Sequence, residues 1–392
     1  MPSSDRFLLL LLAFGNFIIG MGAFVVIGII SPIADGLGVS KASAGMVLTT
    51  YAFAYAILSP LVAALTGQVS RRAVLLCATA LFLAGNVASA LSHTVFMLSA
   101  SRIVVALGGA LFTPIAAGVA VAISAPETRG KALATVFGGV TLAQVIGVPM
   151  GAWLAYRFGW AAAFWTVSAL AAIGCATLAA TVPRDIRFQA STMATVLTAL
   201  KDLPVMFATA FTATFIAAIY IVFTFFGPII EASVGSNPEI RTFYLVLFGV
   251  GAVLGNILGG ILNDRIGSKT TLVVLCLGQA VIMPLFSVIP WNPAIFAAVV
   301  GLWSSFGWSF MAPQQARLVV MAPAATALVL ALNAAMIYVG ITIGSGVGSA
   351  ILQNYGLAAL GIAGGIGSLA ALGHLLLSGR SSRVTAMPEK SA

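Results

Sequence analysis

The sequence predicts an all-α membrane protein: twelve transmembrane helices in two pseudo-symmetric halves of six. Three observations carry this. The 392 residues are 61% hydrophobic and only 7% charged, against about 25% charged in a typical soluble domain. Mean hydropathy is +1.12. The chain also repeats its own punctuation at an offset of roughly 197 residues, as a duplicated transporter-like unit would.

Apolar runs long enough to cross a bilayer need about 20 residues each. Twelve such runs are expected at 7–30, 43–66, 73–91, 95–122, 132–155, 161–182, 203–230, 241–263, 270–289, 294–321, 326–351 and 357–378. They divide the chain into a first half (1–182), a polar cytoplasmic linker (183–202), a second half (203–378) and a cytoplasmic tail (379–392). The first run is too long for a secretory signal and lacks a small-residue cleavage site before Pro32. Cys77, Cys175 and Cys276 all fall inside predicted spans, so neither a disulfide nor a metal site is expected.

Four pairs of segments define the repeat. Pro32-Ile33-Ala34-Asp35 answers Pro228-Ile229-Ile230-Glu231, and the loop at Gly67 to Arg72 answers Asp264 to Lys269. Gly108 and Pro114 answer Gly307 and Pro313; Ala143, Gly147 and Gly151 answer Gly340, Gly344 and Gly348.

Positive charge is distributed by side. With the N-terminus inside, cytoplasmic segments hold Arg6, Arg71, Arg72, Arg129, Lys131, Arg184, Arg187, Lys201, Arg265, Lys269, Arg380, Arg383 and Lys390. The outer loops hold only Lys41, Arg157 and Arg241. This asymmetry predicts cytoplasmic termini and explains the net charge of +9 without nucleic acid. The expected partners are the lipid bilayer and a small-molecule substrate, with a monomeric chain.

One stripe marks the fifth span. Gly139, Ala143, Gly147 and Gly151 recur every fourth residue, with Pro149 inside the run. On a helix they form a bare face that lets two backbones approach closely, and the proline removes one donor and bends the helix. Gly251, Gly255 and Gly259 on the eighth span, and Gly340, Gly344 and Gly348 on the eleventh, form similar stripes. All are expected to pack at the seam between the halves.

With these motifs in view, the chain resembles the major facilitator superfamily, in particular its bacterial drug and sugar efflux branch. Gly259 through Asp264-Arg265-Ile266-Gly267-Ser268-Lys269 is similar to the superfamily's cytoplasmic loop signature. Arg102 with Gly108-Gly109 resembles its fourth-helix arginine motif, and Gly139 through Gly147-Val148-Pro149-Met150-Gly151 its fifth-helix antiporter motif. The resemblance covers essentially the whole chain. It implies a secondary transporter, exporting a small apolar, neutral or weakly anionic solute by alternating access. It implies no cofactor beyond a proton gradient as driving force, an inner-membrane location and a latch formed by the loop signatures. Proton-independent efflux and a non-transporting sensor on the same scaffold are the alternatives. No extramembrane segment holds a nucleophile–base set, metal cluster or phosphate loop, so enzymatic chemistry is not expected.

Two departures from the family pattern matter. Gly67 stands where the first loop signature usually has an aspartate, leaving Arg71 and Arg72 either as a weakened latch or as topology determinants; the second half keeps Asp264, Arg265 and Lys269. Related drug–proton antiporters also carry a carboxylate around the positions of Gly22 and Ala23, and here none of the nine acids lies well inside a span. Asp35 and Glu231 at the external mouths are either substitutes or rim residues.

Arg102 is the opposite case, a charge about 10 Å into the fourth span at 1.5 Å per residue. Such an arginine normally faces the bundle interior or water. It either ties the fourth helix to its neighbours or lines the cavity, attracting anionic or polar neutral substrates. By analogy with the family, the first, fourth, seventh and tenth helices line that cavity. The candidate substrate residues are Asn16, Tyr51, Arg102, Gln144, Phe215, Tyr220, Phe223, Trp303, Phe306, Gln315, Asn333 and Tyr338: a few polar groups among aromatics, as a small-ligand pocket needs. His93 and His374 are read as incidental.

Overall fold

The structure is a computed structural model that describes residues 3–66, 69–125, 128–183, 202–288, 290, 292–323 and 326–381. Gly67 and most of the linker and tail lie outside these residues. All twelve expected spans are present: Arg6–Leu37, Lys41–Val62, Arg71–Ala90, Val95–Ala122, Arg129–Phe158, Ala161–Thr181, Leu203–Phe223, Pro238–Ile266, Ser268–Ser287, Pro293–Met321, Val329–Tyr355 and Ala359–Ser378. No strand occurs among the described residues. The alternation of direction brings both ends of the bundle to one face, here the terminal face; the opposite one is the distal face.

Local chemistry sets where these helices start and stop. Ser40, Ser70, Thr94, Asp202, Asn237 and Asn292 each accept a backbone N–H of the first turn that follows, satisfying donors that lipid cannot. Gly38 and Gly235, then Gly159 and Gly356, turn the chain with positive φ after successive helices. Both pairs are 197 residues apart, so the repeat extends to backbone conformation that side chains rarely adopt.

Several spans are interrupted, among them the first, the fifth and the tenth. The first has a non-helical residue at Ile29, just before Pro32. The tenth breaks at Ser309, ahead of Pro313. The fifth opens into a π turn over Ala143–Gly147, in which Val148 donates to the carbonyl of Ala143. Pro149 has no N–H for the carbonyl four residues earlier, and the wider turn absorbs that mismatch.

The glycine stripes do not lie where the sequence placed them. A Cβ at Gly139 would stand 1.9 Å from the carbonyl oxygen of Ala13, and those at Gly147 and Gly151 would press on Met21 and Val25 of the same first span. Ala143 meets Gly20 there. Gly251, Gly255 and Gly259 lie against Ser304, Ser305 and Ser309 of the tenth span; Gly340, Gly344 and Gly348 lie against Ala213, Ala217 and Ile221 of the seventh. Each stripe therefore glues two helices of one half together, because bare faces give the closest van der Waals contact available in lipid. The seam itself uses other residues. Gly249 meets Val145, Gly227 meets the carbonyl of Ile27, and Gly45 meets Phe225. Only Pro149 of the predicted set faces it, in a shallow apolar groove with Trp153, Thr242 and Val246.

Gly344→Leu should lower stability, since its Cβ would lie 2.4 Å from the Ala217 carbonyl and overpacking costs about 1–3 kcal/mol. Gly260→Ala, with open space around it, is the control. Thermal unfolding in detergent checks this; unchanged stability with altered transport would return the stripe to the seam.

Candidate functional site

The fourth span enters from the distal face under its Thr94 cap and delivers Arg102 to the protein interior with no solvent exposure. Nη2 donates to the carbonyls of Gly22 and Ala23 in the first span, at 2.5 and 3.4 Å. The guanidinium carbon lies 5.0 Å from the ring centre of Tyr51 and 5.6 Å from that of Phe164. Each such contact contributes about 0.5–2 kcal/mol. Nε and Nη1 have no hydrogen-bond partner, and neither has the buried Tyr51 hydroxyl. The first-span carbonyls thus stand where a carboxylate would have answered the arginine. Gly22 could not carry one without movement, because its Cβ would come within 2.6 Å of Phe82.

Around this charge the halves meet through tyrosines. Tyr51 packs 6.4 Å from Tyr338 of the eleventh span, and Tyr55 stacks on Tyr338 with ring centres 3.6 Å apart. Tyr220 of the seventh span is within electrostatic reach of Tyr51 and Tyr338. Gly109 makes room: a Cβ there would lie 3.1 Å from the Tyr51 hydroxyl. Of the twelve predicted substrate residues, Tyr51, Arg102, Tyr220 and Tyr338 come together at this level. Tyr55 belongs with them and was missed; its spacing of four from Tyr51 was the available signal, since residues four apart share a helix face.

Two predicted residues serve a different purpose. Asn16 donates to the Val136 carbonyl at 3.0 Å and accepts from Thr113 at 2.9 Å, joining the first, fifth and fourth spans. Asn333 accepts from Thr212 at 2.5 Å, and Gln314 donates to Thr212 at 3.1 Å, joining the eleventh, seventh and tenth. These are equivalent nodes, one per half, and both are buried. Gln314 therefore takes the inward place expected for Gln315, which stays partly exposed beside it.

The remaining aromatic candidates pack within the second half. Phe223 and Trp303 belong to a cluster with Phe226, Phe248, Phe286 and Trp308. Phe215 stacks on Phe310, and Phe306 covers Gly278 of the ninth span. Gln144, in the π turn, is at the seam where Gly249 approaches its carbonyl, with its side-chain oxygen buried and unpartnered.

The distal face is closed by charge. Glu231 accepts from Ser31 at 2.7 Å and Lys41 at 3.0 Å, both from the other half, and lies 3.7 Å from Arg241. Arg241, expected in a loop, belongs to the helix Pro238–Ile266 and is 1% exposed, with its guanidinium 3.6 Å from the ring centre of Tyr156 across the seam. Arg157 pairs with Glu239, again between halves. Asp35 is exposed at the rim. Deeper in, Thr49 donates to Ser345 at 2.8 Å.

At the terminal face the bonds seen between described residues include several within a single half. Arg71 donates to the Thr66 carbonyl and Arg72 to those of Val182 and Ala179. Asp264 accepts from Asn263, while Arg265 and Lys269 are exposed. The arrangement is a bundle pinned shut distally, with a cluster of tyrosines and an arginine at mid-depth. No group of three or more metal-binding side chains occurs among the described residues.

Comparison with known proteins agrees with this architecture. Residues 12–325 match the sequence profile of the Major Facilitator Superfamily. The chain is 27% identical over 369 residues to the uncharacterised MFS-type transporter YbcL of Bacillus subtilis, covering 94% of this chain and 95% of that one. It is 30% identical over 345 residues to the inner membrane transport protein YdhP of Escherichia coli K12, covering 88% of each. Among solved structures, a bacterial homologue of the lysosomal transporter Spinster, inward-facing and occupied, superposes with a TM-score of 0.78 at 17% identity over 97% of this chain and 98% of the other. The D-xylose–proton symporter gives 0.73 at 18% over 93% and 96%. Such identities speak to the fold alone.

The 2.8 Å contact between Thr49 and Ser345 gives a direct handle on distal closure. Thr49→Cys/Ser345→Cys should form a disulfide under mild oxidation, detectable by peptide mass spectrometry. It should hold the distal face shut and stop transport until reduced.

Proposed function

Because this chain belongs to the major facilitator superfamily, we propose that it exports a small, largely apolar, neutral or weakly anionic solute by alternating access, in exchange for protons. A multi-pass membrane transporter and not an enzyme is what family membership establishes. The direction, the coupling and the substrate class are the proposal.

The observation that carries the substrate class is Arg102. It is a fully buried cation with two unpartnered donor nitrogens at the level where tyrosines of both halves meet. Leaving buried donors unsatisfied costs about 1–3 kcal/mol, and more for charged groups. A carbonyl, hydroxyl or carboxylate of a solute would recover that. A cationic solute would meet repulsion with no acid nearby to offset it. The surrounding rings favour an apolar body on such a solute.

Orientation follows from charge. On this reading the basic terminal face lies in the cytoplasm, and the distally closed state is the one from which export begins. The exposed loop-signature residues Asp264, Arg265 and Lys269 are then a latch that is released in this state and engages when the cytoplasmic side closes. A monomer in a bacterial inner membrane is the simplest assembly consistent with the relatives. Proton-independent efflux is the competing mechanism. It is favoured by one observation: the first span offers Arg102 carbonyls in place of a carboxylate.

A panel of solutes scored by thermal shift, followed by proteoliposome efflux of the hits, tests this reading. Arg102→Ala should cut transport at least tenfold with expression intact, and Arg102→Lys should recover only part, since a point charge lacks the guanidinium fork. Wild-type rates in Arg102→Ala would remove it from the mechanism. Efflux indifferent to a collapsed pH gradient would select the proton-independent reading.

A further inference from the structure

If transport is proton-coupled, as proposed above, some group must carry the proton, and the first span has no acid for it at mid-depth, Asp35 standing at its distal rim. Asp35, Asp202, Glu231, Glu239 and Asp264 all stand at or near helix ends. His374 is different. It belongs to the twelfth span, while the chain's only other histidine, His93, is in the loop between the third and fourth.

Both ring nitrogens of His374 are engaged. Nε2 lies 2.8 Å from the carbonyl oxygen of Phe207, which can only accept, so this nitrogen carries a hydrogen. Nδ1 lies 3.2 Å from the Thr214 hydroxyl, and that hydroxyl is also 2.9 Å from the carbonyl of Phe211. The hydroxyl has two possible acceptors and one hydrogen. With the ring neutral, Thr214 donates to Nδ1. With the ring charged, Nδ1–H donates to the Thr214 oxygen, whose own hydrogen turns to Phe211. The cradle fits both protonation states with no heavy atom displaced. The ring also stacks on Phe207, with centres 4.3 Å apart, a contact that strengthens when the ring is a cation.

We infer that His374 is the proton-carrying group of this transporter, with Thr214 as its hydroxyl switch. Uptake takes one proton from water onto Nδ1, and release returns it to water; no other bond is made or broken. The surroundings tie this to movement. The seventh span presents Phe207, Phe211 and Thr214, all uncharged, and the tenth carries Arg317. Arg317 donates to Ser378, one turn along from His374, and its Nη1 has no partner. A proton on His374 therefore adds a second positive charge to the second half as a unit, on the helix that already holds Arg317 through Ser378, and raises the cost of shutting that part of the half away from water. Thr214 is two residues from Thr212, the centre of the second-half polar node, so the switch is on a helix that moves with its half.

The test uses the full-length protein in nanodiscs with Cys77, Cys175 and Cys276 replaced by serine. Spin labels at Leu65→Cys and Val320→Cys report the opening of the terminal face, since both positions are exposed and belong to different halves. Distances measured by pulsed electron resonance from pH 5 to 8.5 should shift with pH in this parent and lose that dependence in His374→Gln. Thr214→Val should lower the proton affinity of the ring about tenfold by removing the acceptor of the charged form, while Thr214→Ser should leave it unchanged. Nitrogen NMR of a His93→Gln background, where one histidine signal remains, reads that affinity directly. A pH response kept in His374→Gln, or a ring that does not titrate in this range, overturns the assignment alone. A parent with no pH response overturns the antiport reading and the assignment with it.

Discussion

A cation buried in the low-dielectric interior without a carboxylate must be held by something weaker, and much of the first half is shaped by that need. Arg102 is held by two backbone carbonyls and two aromatic faces. For this the first span must run close enough to present the carbonyls of Gly22 and Ala23. That approach depends on small residues: Gly20 meets Ala143, and Gly139 meets the backbone of Ala13. Gly108 packs as tightly on the third span, where a Cβ would lie 2.7 Å from the Ala78 carbonyl. The guanidinium keeps two donors in reserve because carbonyl geometry satisfies only one arm of its fork.

The same economy of polar groups governs the seam. Lipid offers no hydrogen bonds, so polar contacts between the halves mark where the protein is committed to closure. Among the described residues those that are seen include Ser31, Lys41, Arg157, Glu231, Glu239 and Arg241 at the distal face, with Thr49 and Ser345 deeper in. Within each half, one buried node ties three helices together. Rigid halves joined by a polar rim at one end can rock, whereas a seam glued along its length by glycine faces could not. This is why the stripes belong inside the halves.

The fold was legible because hydropathy and span length are one-dimensional properties of a membrane chain. All twelve spans, and the doubling near 197 residues, follow from them. Arg102, Tyr51, Tyr220 and Tyr338 were recognisable as polar groups at the right depth. Partner choice was not, because a helix has several faces and sequence periodicity does not name the neighbour. Gly139 could have met the other half, and meets the first span instead. Trp303 and Phe223 had the right chemistry for a pocket and pack into the second half's core. Arg241 looked like a loop charge because it is only a few residues past a turn, yet Tyr156 and Glu231 enclose it. The neighbours of His374, Thr214 and the Phe207 carbonyl, lie 160 and 167 residues away in sequence, beyond the reach of any local pattern.

Gly22 also constrains how this protein can change. A carboxylate at that position would give Arg102 an ion pair and the first span an acid in the membrane, yet the side chain would collide with Phe82 and Val167. Neither single substitution is a clear gain. Trimming Phe82 alone empties space in a packed core, and an acid at position 22 alone has nowhere to go. The path from this chain to one that handles lipophilic cations therefore crosses a valley in which the order of mutations decides survival.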